Sequence, residues 1–228
     1  MCGLYSFRRG PEEARRLFAC KDGEPQHFAP RPYIGPGQPI GIVRMEEDRR
    51  IFALVHWGFI PSWTKEVRPG GPLANARAET VLDKPSFRNA MRRRRCLVPA
   101  DGFFQWKGEV PGRKQPYFVH RPDEGLFAIA GLWETWAGGD GSEIDTALFI
   151  TVPANERLAA IHHRMPALIK AEDFDAWLDS DRVSAEDAAR LLKPVDDDYL
   201  AADPADLSRP SRDTQARPPR NQGQLKLL

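Results

Sequence analysis

The residues with the richest chemistry stand at the start of the chain, Met1-Cys2-Gly3. Removal of Met1, expected ahead of a small second residue, leaves Cys2 with a free α-amine and a thiol on adjacent carbons. Its amine titrates near pH ~8 and its thiol near ~8.5, so both are partly nucleophilic at neutral pH. Such a 1,2-aminothiol can attack an acyl carbon as a thiolate, with its own amine as base. It can also condense with an aldehyde through a Schiff base and close the thiol onto it as a thiazolidine ring. A cysteine that merely happens to stand second is the plainer reading of Cys2 alone, so other residues must decide.

Three further stretches carry candidate groups: Asn75-Ala76-Arg77-Ala78-Glu79-Thr80, Ala100-Asp101-Gly102-Phe103-Phe104-Gln105-Trp106-Lys107, and His162-His163-Arg164-Met165-Pro166. Alone, an Asn-Ala-Arg is more often a loop than a site, and a histidine more often a satisfied structural group. Cys2, Cys20 and Cys96 are odd in number and widely spaced, which fits neither a disulfide framework nor a zinc knuckle. Cys96, between Arg95 and Leu97-Val98, reads as a buried apolar thiol. His27, His56 and His120 have no ligand spacing, so neither a metal nor another cofactor is expected. The run Arg92 to Arg95 is the strongest basic cluster; such a run is usually a solvated helix end, with nucleic-acid contact as the alternative.

The elements that must position these groups follow from periodicity and turn residues. A helix starts at Gly10-Pro11 and ends near Asp22-Gly23, with Ala14, Leu17 and Phe18 on one face. Residues 24 to 39 are rich in proline and glycine and read as an irregular loop. Ile40 to Arg44 and Arg50 to Trp57 form a hairpin across Glu46-Glu47-Asp48. Pro85-Ser86 caps a short helix with Phe87, Ala90 and Met91 inward. Strands then dominate: Arg95 to Val98, Gly102 to Lys107, Tyr117 to Arg121, Leu126 to Trp136 and Ala147 to Val152. Asn155 caps a helical turn that ends at Ile161, and Pro166 starts another extended stretch. Two amphipathic helices follow, one with Phe174, Trp177 and Leu178, one starting at Ser184 with Asp187 in a capping-box position. Together these predict one α+β domain over residues 1–228. Its core is a curved, largely antiparallel sheet or open barrel with helices outside, and its tail from about 194 wraps the surface or is flexible.

At 228 residues the chain can build one sizeable core or at most two small ones. With 33 basic and 32 acidic side chains the net charge is +1, so any nucleic-acid contact must come from a local basic surface. No apolar run approaches the ~20 residues needed to span a bilayer, and the first residues lack an apolar signal core. A cytosolic protein is expected, and nothing suggests an oligomerising helix, so a monomer is too.

As an ordered set with these spacings, the four stretches resemble the SRAP (SOS-response-associated peptidase) family, whose members crosslink to abasic sites in single-stranded DNA. Trp57-Gly58 with Pro61 and Trp63, Pro36-Gly37 and Asn221-Gln222-Gly223 extend the resemblance over most of the chain. It implies that Cys2 bonds covalently to the sugar aldehyde of the lesion through nitrogen and sulfur, acting at the chromosome. Asn75 would hold the N-terminal residue and the sugar, and His162 would move protons during sugar ring opening. Arg77 and Arg164 would bind flanking phosphates, and Pro36 would shape the opposite wall. Trp63 and Trp106 would stack on exposed bases, a contact worth roughly 1–3 kcal/mol per base; core packing is the alternative for both.

Three positions depart from the family pattern. Gln105 replaces a catalytic glutamate, Leu4 stands where arginine is common, and Ile34 stands where asparagine is usual. Glutamine keeps the shape but cannot accept and return a proton, and losing that function would slow the chemistry by roughly 10²–10⁴-fold. Glu79 is a candidate substitute. Two other functions compete: a catalytically impaired module that binds damaged DNA without bonding to it, and an N-terminal-cysteine amidohydrolase. The amidohydrolase needs a downstream Asn-Gly oxyanion element, and the chain has no such dipeptide.

Overall fold

A computed structural model describes residues 2–20, 28–65, 72–108, 110 and 114–207. Met1, His27, the expected helix end at Asp22-Gly23 and Asn221-Gln222-Gly223 lie outside the described residues. In chain order the strands are β1 (Tyr5–Phe7), β2 (Arg31–Ile34), β3 (Pro39–Glu46), β4 (Arg49–Trp57), β5 (Asn75–Arg77), β6 (Arg95–Ala100), β7 (Gly102–Lys107), β8 (Gln115–His120), β9 (Phe127–Ala137), β10 (Glu143–Pro153), β11 (Arg164–Pro166), β12 (Leu168–Ile169) and β13 (Ala201–Pro204). Short helices sit between them: α1 (Pro11–Leu17), α2 (Arg88–Arg93), α3 (Glu156–Ala159), α4 (Phe174–Leu178) and α5 (Ala185–Ala189). The class is α+β.

Five strands close on themselves. β4 pairs with β3, β3 with β6 and β6 with β9, all antiparallel; β9 then pairs antiparallel with β10, and β10 runs parallel to β4. The expected open barrel is therefore closed, through a parallel contact between strands some ninety residues apart that no local signal announces. Gly131 makes the closure possible: a Cβ there would lie 2.9 Å from both the Cys96 sulfur and the Leu148 carbonyl. A second sheet, in the order β13-β8-β7-β1-β2, packs on the barrel. Tyr5 on β1 meets Trp57 and Phe149 edge-on at 5.6 and 5.3 Å, and one cluster of buried side chains runs through both sheets.

The hairpin turn contracts to Glu47 and Asp48, both with positive φ, the type I′ geometry that matches strand twist. β2 lies inside the stretch read as an irregular loop; Pro32 is tolerated because β2 is an edge strand. The Asn75 stretch is also a strand, parallel to β10 at Phe149↔Asn75. α1 stops at Leu17, and Ala19 turns left-handed with φ 50°. Phe87, not Ser86, holds the cap position of α2, without a side-chain bond. Asn155 and Ser184 do cap, accepting from the backbone N–H groups of Leu158 and Asp187 at 3.0 Å. The chain from 194 to 207 is packed: Val195 and Leu200 are buried, and β13 extends the second sheet beside β8. No helix among the described residues is long and apolar enough to cross a membrane.

Candidate functional site

β1 carries the N-terminal residues into the site, and three neighbours fix it. It pairs with β2 at Tyr5↔Ile34 and with β7 at Tyr5↔Phe103, while the Phe104 N–H donates to the Leu4 carbonyl at 2.9 Å. Asp101, buried between β6 and β7, accepts from the Ser6 hydroxyl at 2.6 Å, from the Arg8 backbone N–H, and from Arg8 Nε at 3.2 Å. Continuing the β1–β7 register sets Gly3 beside Gln105.

Asn75 reaches that segment from the barrel side, donating from Nδ2 to the Cys2 carbonyl at 2.8 Å. It is held in place by Trp57, which stacks on Phe149 at 4.2 Å and donates from its indole N–H to the Ala74 carbonyl at 2.8 Å. Gln105, 1% exposed, donates from Nε2 to the Arg164 carbonyl at 3.0 Å. Two side-chain acceptors, Asn75 Oδ1 and Gln105 Oε1, are buried without a hydrogen-bond partner among the described residues. Such atoms favour a ligand that brings N–H or O–H donors.

His162 follows α3. Its Nδ1 lies 3.0 Å from both the amide nitrogen and the carbonyl oxygen of Arg164. One neutral tautomer accepts from that N–H and the other donates to that C=O, so the ring can exchange its proton without turning. Burial lowers the His162 pKa, against the Arg164 backbone bond that raises it. The His163 ring stacks on it at 4.4 Å.

Cys2 is 1% exposed, its sulfur 3.7 Å from the Leu4 carbonyl. Burial pushes the thiol up to about 12, despite that bond. In this arrangement the thiol is a protonated, sheltered group, not the partly ionised one its ordinary pKa predicts.

The two arginines differ. Arg77 is exposed at the end of β5, as a phosphate ligand needs. Arg164 is not: it is 9% exposed, its guanidinium paired with Glu79 and bonded to the Thr151 carbonyl at 2.5 Å and hydroxyl at 3.2 Å. It ties β11 and the turn after β5 to β10. Glu79 is correspondingly committed, and the Arg164 hydrogen bond holds its pKa below the usual carboxylate range. That argues against Glu79 as a stand-in base.

Pro36 is exposed at the corner of a type II turn, Gly35 to Gln38, closed by a 3.2 Å backbone bond, with Gly37 at φ 86°. The turn abuts the N-terminal segment, since a Cβ on Gly35 would lie 3.8 Å from the Gly3 carbonyl. Trp63 is 54% exposed and Trp106 half-buried. The basic run divides: Arg95 is buried and donates to the carbonyls of Met91, Trp177, Asp179 and Val183 at 2.5–3.0 Å. Arg94 pairs with Glu134 at 3.0 Å, and only Arg92 and Arg93 are fully outward.

The N-terminal strand is thus set on a closed barrel, with Asn75 bonded to the Cys2 carbonyl and Gln105 and His162 meeting at the Arg164 carbonyl. The chain belongs to the SOS response associated peptidase (SRAP) family, whose model matches residues 1–207. It is 32% identical over 203 residues to the abasic site processing protein YoqW of Bacillus subtilis, covering 89% of this chain and 91% of that one. It is 30% identical over 238 residues to the abasic site processing protein HMCES of Gallus gallus, covering 86% of this chain and 70% of that one. A crystal structure of a Bacteroides thetaiotaomicron protein superposes with a TM-score of 0.76 at 27% identity, covering 88% of this chain and 90% of that one.

Proposed function

We propose that this protein processes abasic sites in single-stranded DNA by bonding Cys2 to the aldehyde of the ring-opened sugar. Family membership and relatives named for abasic site processing support the substrate class. The observation that carries the reading is the 2.8 Å bond from Asn75 to the Cys2 carbonyl, beside the two buried acceptors without partners. Once Met1 is removed, by the protein's own site or by processing, a Cys2 amine supplies N–H donors of the kind those acceptors lack.

The high thiol pKa orders the steps. The amine attacks first: its nitrogen bonds to the aldehyde carbon, and loss of water leaves an imine. The thiol then adds across the C=N bond, sulfur to carbon and its proton to nitrogen, closing the thiazolidine with water as the only product lost. His162, neutral and able to switch tautomers, moves protons during sugar opening and dehydration. Gln105 hydrogen-bonds but cannot shuttle a proton, so the reaction is slow and poorly reversed. Arg77 binds a flanking phosphate, and Trp63 and Trp106 contact bases.

A second reading, non-covalent binding of damaged DNA, is favoured by Gln105 together with the sheltered thiol. Incubation with a single-stranded oligonucleotide carrying an abasic site separates the two. A denaturation-resistant band that disappears in Cys2→Ala supports the bond; binding without a band, unchanged in Cys2→Ala, supports the second reading. Intact mass reports whether Met1 is gone.

A further inference from the structure

The face of β1, β2, β7 and β8 turned away from the barrel carries a cleft of about 430 Å³, distinct from the cysteine site. Its aromatic wall is continuous: Tyr33 to Phe104 at 5.5 Å and Phe104 to Phe118 at 5.1 Å between ring centres. The Arg8 guanidinium lies 5.0 Å over the Phe118 ring, and Asp206 stands on the rim. The terminal nitrogens of Arg8 and the Tyr33 hydroxyl make no hydrogen bond among the described residues.

We propose that this cleft holds the base of a nucleotide a few positions from the abasic site, on the same single strand; the inference rests on the DNA substrate proposed above. The rings are tilted against one another, and the partly exposed Tyr33 and Phe118 offer aromatic surface to a planar heterocycle. Among the described lining residues, Arg8, already paired with Asp101, and Asp206 leave no surplus positive charge, which admits an uncharged base with donors and acceptors on its edge and turns away a phosphate. Strand alternation puts Leu4, Ser6, Arg8, Phe104 and Trp106 on this one face, so the cleft continues the surface at the mouth of the site. Ser6 is four residues from Cys2, about 13 Å of extended chain.

Two variants test this from opposite sides. Tyr33→Leu keeps apolar volume on an edge strand but removes the flat ring and hydroxyl. Ala205→Trp fills the cleft from its rim and keeps both backbone bonds there, the Ala205 N–H to the Pro116 carbonyl at 2.8 Å and the Ala205 carbonyl from Gln115 Nε2 at 3.1 Å. Fluorescence anisotropy with a labelled single-stranded oligonucleotide lacking an abasic site should show affinity reduced about 5- to 100-fold in each variant, with unchanged melting temperatures. Parent-like affinity in both, or no binding of that oligonucleotide by the parent, overturns the assignment. Adduct yield on a trinucleotide with a central abasic site, too short to reach the cleft, tests Cys2 chemistry instead, so the two readings fail separately.

Discussion

Gln105 and His162 converge on a single atom: Gln105 Nε2 and His162 Nδ1 each lie 3.0 Å from the Arg164 carbonyl oxygen. The amide can donate to that oxygen, whereas a carboxylate at position 105 would oppose it with a second lone pair. The site therefore favours a protonated acid, with a pKa above the usual ~4.3. Gln105→Glu is expected to speed adduct formation by roughly 10²–10⁴-fold, with the gain fading as pH rises through the carboxyl pKa. Quench-flow or gel time courses across pH measure it; an unchanged rate refutes this role for position 105.

The His162 ring is expected to titrate below ~6.5, because burial penalises its charged form. Its folded-state pKa is depressed, so its contribution to stability is full above ~6.5 and is lost as pH falls through the lower folded value. Proton NMR titration of the imidazole reads this pKa directly, and a value above 6.5 contradicts the assignment.

Sheltering of Cys2 has a kinetic signature. With a pKa of about 12 the thiol is almost wholly protonated at pH 8, and the greater nucleophilicity of a basic thiolate only partly compensates. Iodoacetamide should label Cys2 in the folded protein roughly 10²-fold more slowly than in urea. Equal rates, read by peptide mass spectrometry, would mean an open thiol and remove the reason for amine-first attack.

Glu79→Gln separates a structural carboxylate from a catalytic one. It leaves Arg164 buried without its counter-charge, at a cost of about 1–3 kcal/mol, moderated because the Glu79 side chain is 46% exposed. The lowered Glu79 pKa stabilises the fold above ~4.3, and that stability is lost as pH falls through the folded value. Denaturant melts should show the deficit at neutral pH and its shrinkage in acid, with adduct rate retained; a collapse of rate at full stability would make Glu79 a catalytic group after all.

Arg95→Lys should cost stability and leave DNA affinity alone, since a lysine cannot serve four carbonyls in a fixed fork. A loss of about 2 kcal/mol or more is expected in urea melts. Arg92→Gln with Arg93→Gln should do the reverse, and affinity unmoved by that pair would exclude the basic run from binding.

What the sequence disclosed depended on the range of each interaction. Asn155 and Ser184 announced their caps, and the β3–β4 hairpin its turn, because partner and signal lie within a few residues. β1 and β2 were hidden: each is short, and their pairing partners, near Tyr5, Ile34 and Phe103, are scattered along the chain. Residue type singled out Cys2 and the family resemblance added Asn75 and His162, but neither could reveal that Arg164 is spent on Glu79 and Thr151. Trp57 was recognisable as a marker, while its hold on the Ala74 carbonyl required the fold.

The parallel seam between β4 and β10 has a consequence for biosynthesis. Cys2 is synthesised 160 positions ahead of His162 and well ahead of β10, so its setting stays incomplete while that length is made. At ordinary elongation rates that interval is about 10–30 s. Until the last barrel staves arrive, Cys2 lacks the burial that raises its thiol pKa, and only then is it drawn under cover.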